Sequence, residues 1–225
     1  MSRLKTLLSW SSGKDSAWAL HTLRGDPRYE VVGLVTTVNR AADRVAMHAV
    51  RTELLRLQAD AVGAPLRLIE IPSPCSNDEY ESAMSACVVQ AVTEGVDCFA
   101  FGDLFLEDIR AYREQKLAAT GVTPIFPIWG IDTTQLAREM IASGLRARIT
   151  CIDPRVMPRE FAGRDFDLSM PEGVDPCGER GEFHTFAYDG PMFHAPVPIE
   201  SGEIVERDGF VFADLVSATT LSSGG

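Results

Sequence analysis

The sequence predicts an α/β fold, a parallel sheet with helices on both faces, followed by a smaller α+β region. Three observations carry this expectation. Apolar, strand-like runs alternate with helix-period stretches about five times between Leu7 and Trp129, the pattern of a parallel sheet with right-handed crossovers. A run of small polar residues, Ser11-Ser12-Gly13-Lys14-Asp15-Ser16, joins the first strand to the first helix. After Trp129-Gly130 the alternation gives way to a region richer in Gly, Pro and charge. The reading is therefore two parts, 1–130 and 131–225, with a soft boundary near residue 130.

Each element has its own signal. The first strand leads into the small-residue loop, and an apolar helix follows from Ala17, ending before Gly25-Asp26-Pro27. Tyr29 to Thr37 reads as a second, buried strand whose end lies beside the end of the first. Met47, Val50, Leu54, Leu57 and Ala61 make one helical stripe, closed by Gly63 and Pro65. Leu66 to Ile71 is a third strand. Ser76-Asn77-Asp78-Glu79 has the form of a capping box, ahead of a stripe through Tyr80, Ala83, Met84, Cys87, Val88 and Ala91. Cys98 to Phe101 is a fourth strand, with Gly102-Asp103 at its carboxyl end. A charged helix over about 104–120 and a fifth strand over 123–129 complete the first part. The second part opens with a helix over 132–143 and a strand over 146–152. It ends in strands over 183–188, 195–200, 204–208 and 210–215, with Ser201-Gly202 and Asp208-Gly209 as turns.

Composition narrows the function classes. The 225 residues carry a net charge of −11, which disfavours wrapping nucleic acid, where phosphate neutralisation supplies most of the affinity. The apolar runs are too short to span a bilayer, and the start of the chain lacks an apolar leader region, so the expectation is a cytoplasmic protein without membrane contact. The five cysteines are scattered without a Cys-x-x-Cys pair, which argues for free thiols rather than a zinc or iron–sulfur site.

The loop after the first strand is built for an anion. Small residues at Ser11, Ser12 and Gly13 allow close backbone approach, and the following helix start presents unpaired N–H groups and a favourable dipole. Lys14 adds positive charge. Asp15 beside a phosphate calls for a bridging Mg²⁺. The loop is not a Walker A loop, because position 8 is Leu where that pattern needs Gly. It resembles instead the pyrophosphate loop, Ser-Gly-Gly-x-Asp-Ser, of enzymes that split ATP into AMP and pyrophosphate. Ser12 takes the place of that loop's first Gly. A plain strand-to-helix turn with Asp15 or Ser16 as a helix cap is the structural alternative.

Other positions are more open. Asp103 at a strand's carboxyl end could meet a ligand or its metal, or could cap the next helix. His48 reads on spacing alone as a solvated helix-end histidine. Gly178-Glu179-Arg180-Gly181-Glu182 puts two carboxylates on a glycine-rich loop. Both could turn toward one point to serve a cation or accept a proton, and a surface hairpin with solvated acids is equally consistent. His184 as a base and Cys177 as a nucleophile have weaker support.

Three segments together resemble the diphthine–ammonia ligase family, also called the ATP-binding domain 4 family. They are Ser9 to Ser16, then Gly102-Asp103 through Arg113-Glu114 to Pro124-Ile125-Phe126-Pro127-Ile128-Trp129, and finally Gly178-Glu179-Arg180-Gly181-Glu182-Phe183-His184-Thr185. Met47-His48 also fits. The resemblance covers nearly the whole chain. The first motif is common to a wide superfamily, and the last is specific to this family. In its length and in His184 the chain is similar to bacterial-type members.

The resemblance implies a HUP-type nucleotide-binding domain, completed by a smaller domain over the substrate cleft. It implies that ATP adenylates a carboxylate and ammonia displaces AMP. In eukaryotic and archaeal members that carboxylate belongs to diphthine, a modified histidine of translation elongation factor two. Carried onto this chain, Ser11, Ser12, Gly13, Lys14, Asp15 and Ser16 would hold phosphates, with Gly102 and Asp103 beside them. Thr36 and His48 would lie near adenine. Asp15 and Asp103 would meet Mg²⁺, and Glu179 and Glu182 would orient ammonia or take its proton. The acceptor carboxylate would sit on a protein or a small molecule, and a homo-oligomer is compatible. Three rivals stand beside this reading: a pyrophosphate-loop enzyme acting on tRNA, a ligase for a small carboxylate, and a non-catalytic ATP- or AMP-binding regulatory module.

Overall fold

The structure is a computed structural model that describes residues 2–39, the backbone of 44–45, and residues 50–218. The first sheet contains β1 (Leu4–Ser9), β2 (Tyr29–Asn39), β3 (Arg44–Val45), β4 (Leu66–Ile71), β5 (Cys98–Ala100) and β6 (Thr123–Ile125). Five of these strands are parallel, in the order β4-β2-β1-β5-β6, and β3 folds back antiparallel on the end of β2. The chain order reverses across β1, so the carboxyl ends of β1, β2 and β5 frame the crevice where such sheets bind ligands.

Both faces of this sheet are covered, as alternation along the strands requires. Leu7, Val35, Phe99 and Phe101 point to one side. They pack there with Cys87, Val88 and Ala91 of α3 (Asn77–Thr93) and Leu117 of α4 (Glu107–Leu117). Leu8, Leu34 and Ala100 point to the other side, against α1 (Lys14–Gly25) and α2 (Thr52–Val62). Leu54 and Leu55 of α2 are wholly buried there, each contributing about 1.5–3 kcal/mol by removal from water.

After α5 (Thr133–Ala142), four antiparallel strands form a second sheet, ordered β8-β7-β10-β9. They are β7 (Arg146–Ile152), β8 (Phe183–Asp189), β9 (Ile199–Arg207) and β10 (Phe210–Ser217). The α1/α2 side of the first sheet shares one continuous core with this second sheet, through Ile149, Phe186, Ala187 and Leu215 among others. A HUP-like parallel α/β unit thus precedes a smaller antiparallel one.

Most expected elements occur, several with shifted ends. The third strand and the strand over 146–152 have the expected limits. Ser76 forms the full capping box with Glu79. α2 starts at Thr52, with Val50 buried ahead of it, and Met47 and His48 lie outside the described residues. The fifth strand stops at Ile125, and a turn from Phe126 to Trp129 follows. The separate strands expected over 195–200 and 204–208 are one strand, β9. Ser201-Gly202 is not a turn but lies inside β9, where the β9–β10 register slips. A Cβ at Gly202 would come within 3.1 Å of Asp214 on β10, so the glycine serves a close strand approach rather than a reversal. Asp208-Gly209 is the hairpin turn expected, with both residues at positive φ.

Candidate active site

The loop after β1 is fixed from three sides. The Trp10 N–H donates to the Val35 carbonyl (2.8 Å), and the buried Thr36 hydroxyl donates to the Trp10 carbonyl (2.6 Å). Thr36, expected near adenine, therefore spends its hydroxyl on the entry to the loop. Ser12 stands at φ 70°, in the left-handed region, with its side chain fully buried. Its carbonyl accepts from the Ala187 N–H of β8 (2.9 Å) and from Nε2 of Gln58 on α2 (2.9 Å). Gly13 is the N-cap of α1 and supplies no side-chain cap. A Cβ there would meet the Thr185 carbonyl at 3.2 Å. The Ser16 hydroxyl donates to the Gly13 carbonyl, and Ser11 donates to Ser16. Neither Asp15 nor Ser16 is the N-cap of α1, a place that Gly13 takes.

Lys14 does not reach outward. Its side chain is 2% exposed, and Nζ donates to both Asp15 carboxylate oxygens (3.0 and 2.9 Å) and to the Cys177 carbonyl. The ammonium lies over the rings of Phe166 and Phe183, 5.4 and 5.2 Å from their centres. Burial pulls the Lys14 pKa down, but the Asp15 carboxylate and the oxygen-rich surroundings more than offset this, so it stays charged. The Lys14 N–H, one of the donors at the helix start, goes to the Thr185 hydroxyl (3.1 Å). Asp15 keeps one edge partly open.

Gly102-Asp103 lies against the same helix start. A Cβ at Gly102 would come within 3.1 Å of the backbone of Asp15 and Ser16, so only glycine permits this approach without displacement. Asp103 does not cap α4. Both its oxygens accept from Arg113, whose guanidinium stacks 4.3 Å from the Phe101 ring centre. The charge along its helix suggests a solvated face for Arg113. Its partner and the ring beneath it hold it half-buried instead.

The two carboxylates of the glycine-rich loop diverge. Glu179 Oε1 accepts from the Leu104 N–H (2.8 Å), beside Asp103. Burial pushes its pKa up to about 7, with the Asp15 and Asp103 charges adding to the shift and backbone N–H groups of Leu104 and Phe105 opposing it. Glu182 turns inward and is buried. Its oxygens accept from the N–H groups of Asp175 (3.1 Å) and Arg180 (3.0 Å), bracing its own loop. Asp175 extends the brace, accepting from Cys177 N–H (2.9 Å) and the Thr133 hydroxyl (2.7 Å). Burial drives the Cys177 thiol up to about 12 and holds His184 down at about 4, so the first stays protonated and the second neutral at pH 7.

The structure thus brings Lys14, Asp15, Asp103 and Glu179 around the start of α1, leaves Glu182 as a brace, and places Thr36 below the loop. Gln58 and Asp175 have no signal in the sequence that marks them, and Thr185 and Arg113 are marked only as members of the motifs that carry the resemblance, not for the contacts they make. Gln58 and Thr185 lie 46 and 171 residues from the loop atoms they bind, and nothing local announces that contact. Among the described residues, no three His, Cys, Asp or Glu side chains converge as a metal site. A divalent cation at Asp15 or Asp103 would have to compete with Lys14 and Arg113. A nucleotide fits better. The loop has small side chains, a helix start at the carboxyl end of β1, and a buried Ser12 hydroxyl without a partner. A cavity of about 560 Å³ lies elsewhere, between α3 and α4, and meets the site at Arg113 and the Phe101 ring beneath it.

Fold and site together define a parallel α/β protein with a small-residue loop at the helix start after β1, and a second sheet that carries an acidic loop. Comparison with known proteins narrows this class. Residues 4–123 match the family model described as diphthamide synthase N-terminal domain, and residues 132–216 match the diphthamide synthase C-terminal domain. The chain belongs to the diphthamide synthase family. Its relatives include the diphthine–ammonia ligase of Danio rerio, 27% identical over 90% of this chain and 89% of that protein. The Homo sapiens diphthine–ammonia ligase is 27% identical over 67% of this chain and 60% of its own length. That of Schizosaccharomyces pombe is 26% identical over 44% of this chain and 18% of its own length. The match thus spans about three fifths of the human relative.

Proposed function

We propose that the chain is an ATP-dependent, AMP-forming ligase that joins ammonia to a carboxylate. The reading rests on one observation above all: Glu179, titrating near neutrality, sits beside Asp15 and Asp103 at the start of α1. A phosphate loop facing a proton acceptor is what adenylation followed by amination needs. In the first step a carboxylate oxygen of the acceptor attacks the α-phosphorus of ATP, and the bond to pyrophosphate breaks. In the second, the nitrogen of ammonia attacks the acyl carbon, the bond to AMP breaks, and Glu179 takes the proton that the nitrogen sheds. The loop backbone from Ser11 to Ser16 and the dipole of α1 hold the phosphates. Lys14 fixes the Asp15 carboxylate at the edge of the cleft. Mg²⁺ belongs to this reading as the counter-ion of ATP. Most of the acceleration comes from positioning and electrostatics.

The names of the relatives support diphthine as the acceptor class, and the net charge of −11 weighs against tRNA. Free thiols fit a reaction in the cytoplasm. One observation favours a second reading, a nucleotide-binding regulatory module: Lys14, the cation of the loop, is committed to an internal ion pair.

The test is release of AMP and pyrophosphate from ATP, Mg²⁺ and ammonium, with and without elongation factor two or cell extract. Wild type is compared with Lys14→Met, which keeps the buried volume, and with Lys14→Ala. Acceptor-dependent AMP that is lost in both variants supports the ligase. Tight ATP binding without AMP under every acceptor moves the function to the regulatory module.

A further inference from the structure

Gln58 is wholly buried and touches three parts of the molecule at once. Its Oε1 accepts from the Trp10 indole N–H (3.0 Å). Its Nε2 donates to the carbonyls of Ser12 (2.9 Å) and Ala187. The Ala187 N–H donates to the same Ser12 carbonyl (2.9 Å), so that oxygen is held by two donors. Ser12 is one of two non-glycine residues at positive φ among the described residues, and the other is in an exposed hairpin turn. An L residue resists that conformation, and it persists only where its surroundings over-determine it. The Ser12 hydroxyl has no partner that would do so. On the peptide that follows, the Gly13 N–H makes one long bond to the Ser11 hydroxyl (3.3 Å), whereas the Ser12 carbonyl takes two at 2.9 Å, so the main constraint falls on that carbonyl.

We propose that Gln58, acting with the Ala187 N–H of β8, is a positioning residue that holds Ser12 left-handed and so sets the phosphate-binding geometry of the loop. This rests on the nucleotide reading of that loop. Clamping the carbonyl fixes the peptide between Ser12 and Gly13, and with it the direction of the Gly13 N–H at the entry to α1. A glycine at position 12 would adopt the same φ without resistance and would not need the clamp.

Dependence on the residue at position 12 separates positioning from mere support of the core. Gln58→Met keeps the buried length and removes every polar contact. ATP binding in the presence of Mg²⁺ is measured for wild type, Gln58→Met, Ser12→Gly and the double variant, with hydrogen exchange of the Ser12, Gly13 and Lys14 amides followed in parallel. Expected are at least a tenfold weaker affinity and faster loop exchange in Gln58→Met. In the double variant both return to within about threefold of Ser12→Gly, even if the melting temperature stays lowered. The inference is overturned if Gln58→Met leaves loop exchange unchanged, or if its loss is as large in the Ser12→Gly background as in wild type. If wild type binds no ATP, the nucleotide reading fails, and the exchange pattern alone decides whether the clamp holds the loop.

Discussion

Glu179 is the residue whose chemistry can be tested most directly. Its carboxyl titrates near 7 because burial disfavours the charge and two neighbouring carboxylates reinforce this. If it takes the proton of the attacking nitrogen, AMP release rises with pH through about 7. Glu179→Gln lowers the rate on the order of 100-fold and removes that limb of the profile. The same shift affects stability. A carboxyl whose folded pKa lies above its unfolded value stabilises the fold fully below the unfolded pKa, and the contribution fades as pH rises through about 7. The stability of wild type relative to Glu179→Gln should therefore fall between pH 4.5 and 7, as read by urea denaturation. His184 works in the opposite range. Its depressed pKa means that acid destabilises the fold as pH drops from about 6.5 through 4, and His184→Gln should lessen that sensitivity in melting scans.

At the scale of elements, the loop from Asp175 to Glu182 is a self-braced unit. Glu182→Ala strips two backbone N–H groups of their carboxylate acceptor and should cost about 3 kcal/mol in urea denaturation, with Glu182→Gln recovering part of it. Gly178 has φ 70°, and a Cβ there would lie 2.8 Å from the Phe183 ring and carbonyl. Gly178→Ala should destabilise by about 2–3 kcal/mol and displace Glu179 from Leu104, seen as a fall in AMP release beyond the loss of stability. Elements of this kind were partly legible in the sequence. The capping box at Ser76 follows from local pattern because its partner Glu79 is in the same turn. The limits of β4 and β7 follow from the breakers that bound them, Pro65 and Pro72 for one and Gly144 and Pro154 for the other, although their pairing strands lie far away in the chain. Gly202 misled because a glycine in a turn and a glycine under a neighbouring strand look alike until the strands are paired. The pair Glu179 and Glu182 was visible as two acids, but their divergence depends on which backbone N–H groups each meets.

The whole molecule is tied together more tightly than its two sheets imply. The core of the α1/α2 side runs without a break into the second sheet, and Lys14 is buried beneath Phe166 and Phe183. The two regions, with the division proposed near residue 130, should therefore melt together. Calorimetric and van't Hoff enthalpies of the full chain should agree, whereas two separated transitions would show independent domains. The parallel order of the first sheet was legible from the alternation of elements. The docking of the second sheet on the loop was not, since it depends on contacts such as Lys14 to Thr185 across 171 positions.

That span has a consequence in time. A ribosome releases the loop at the start of α1 well before β8, which holds it and comes 171 positions later. At about 5–20 residues per second the loop waits roughly 10–30 s for the strand that shapes it. Nascent chains that end before β8 should carry the parallel sheet's helices and strands while the loop is still unset, so that the nucleotide binding proposed for it is acquired only once β8 has emerged.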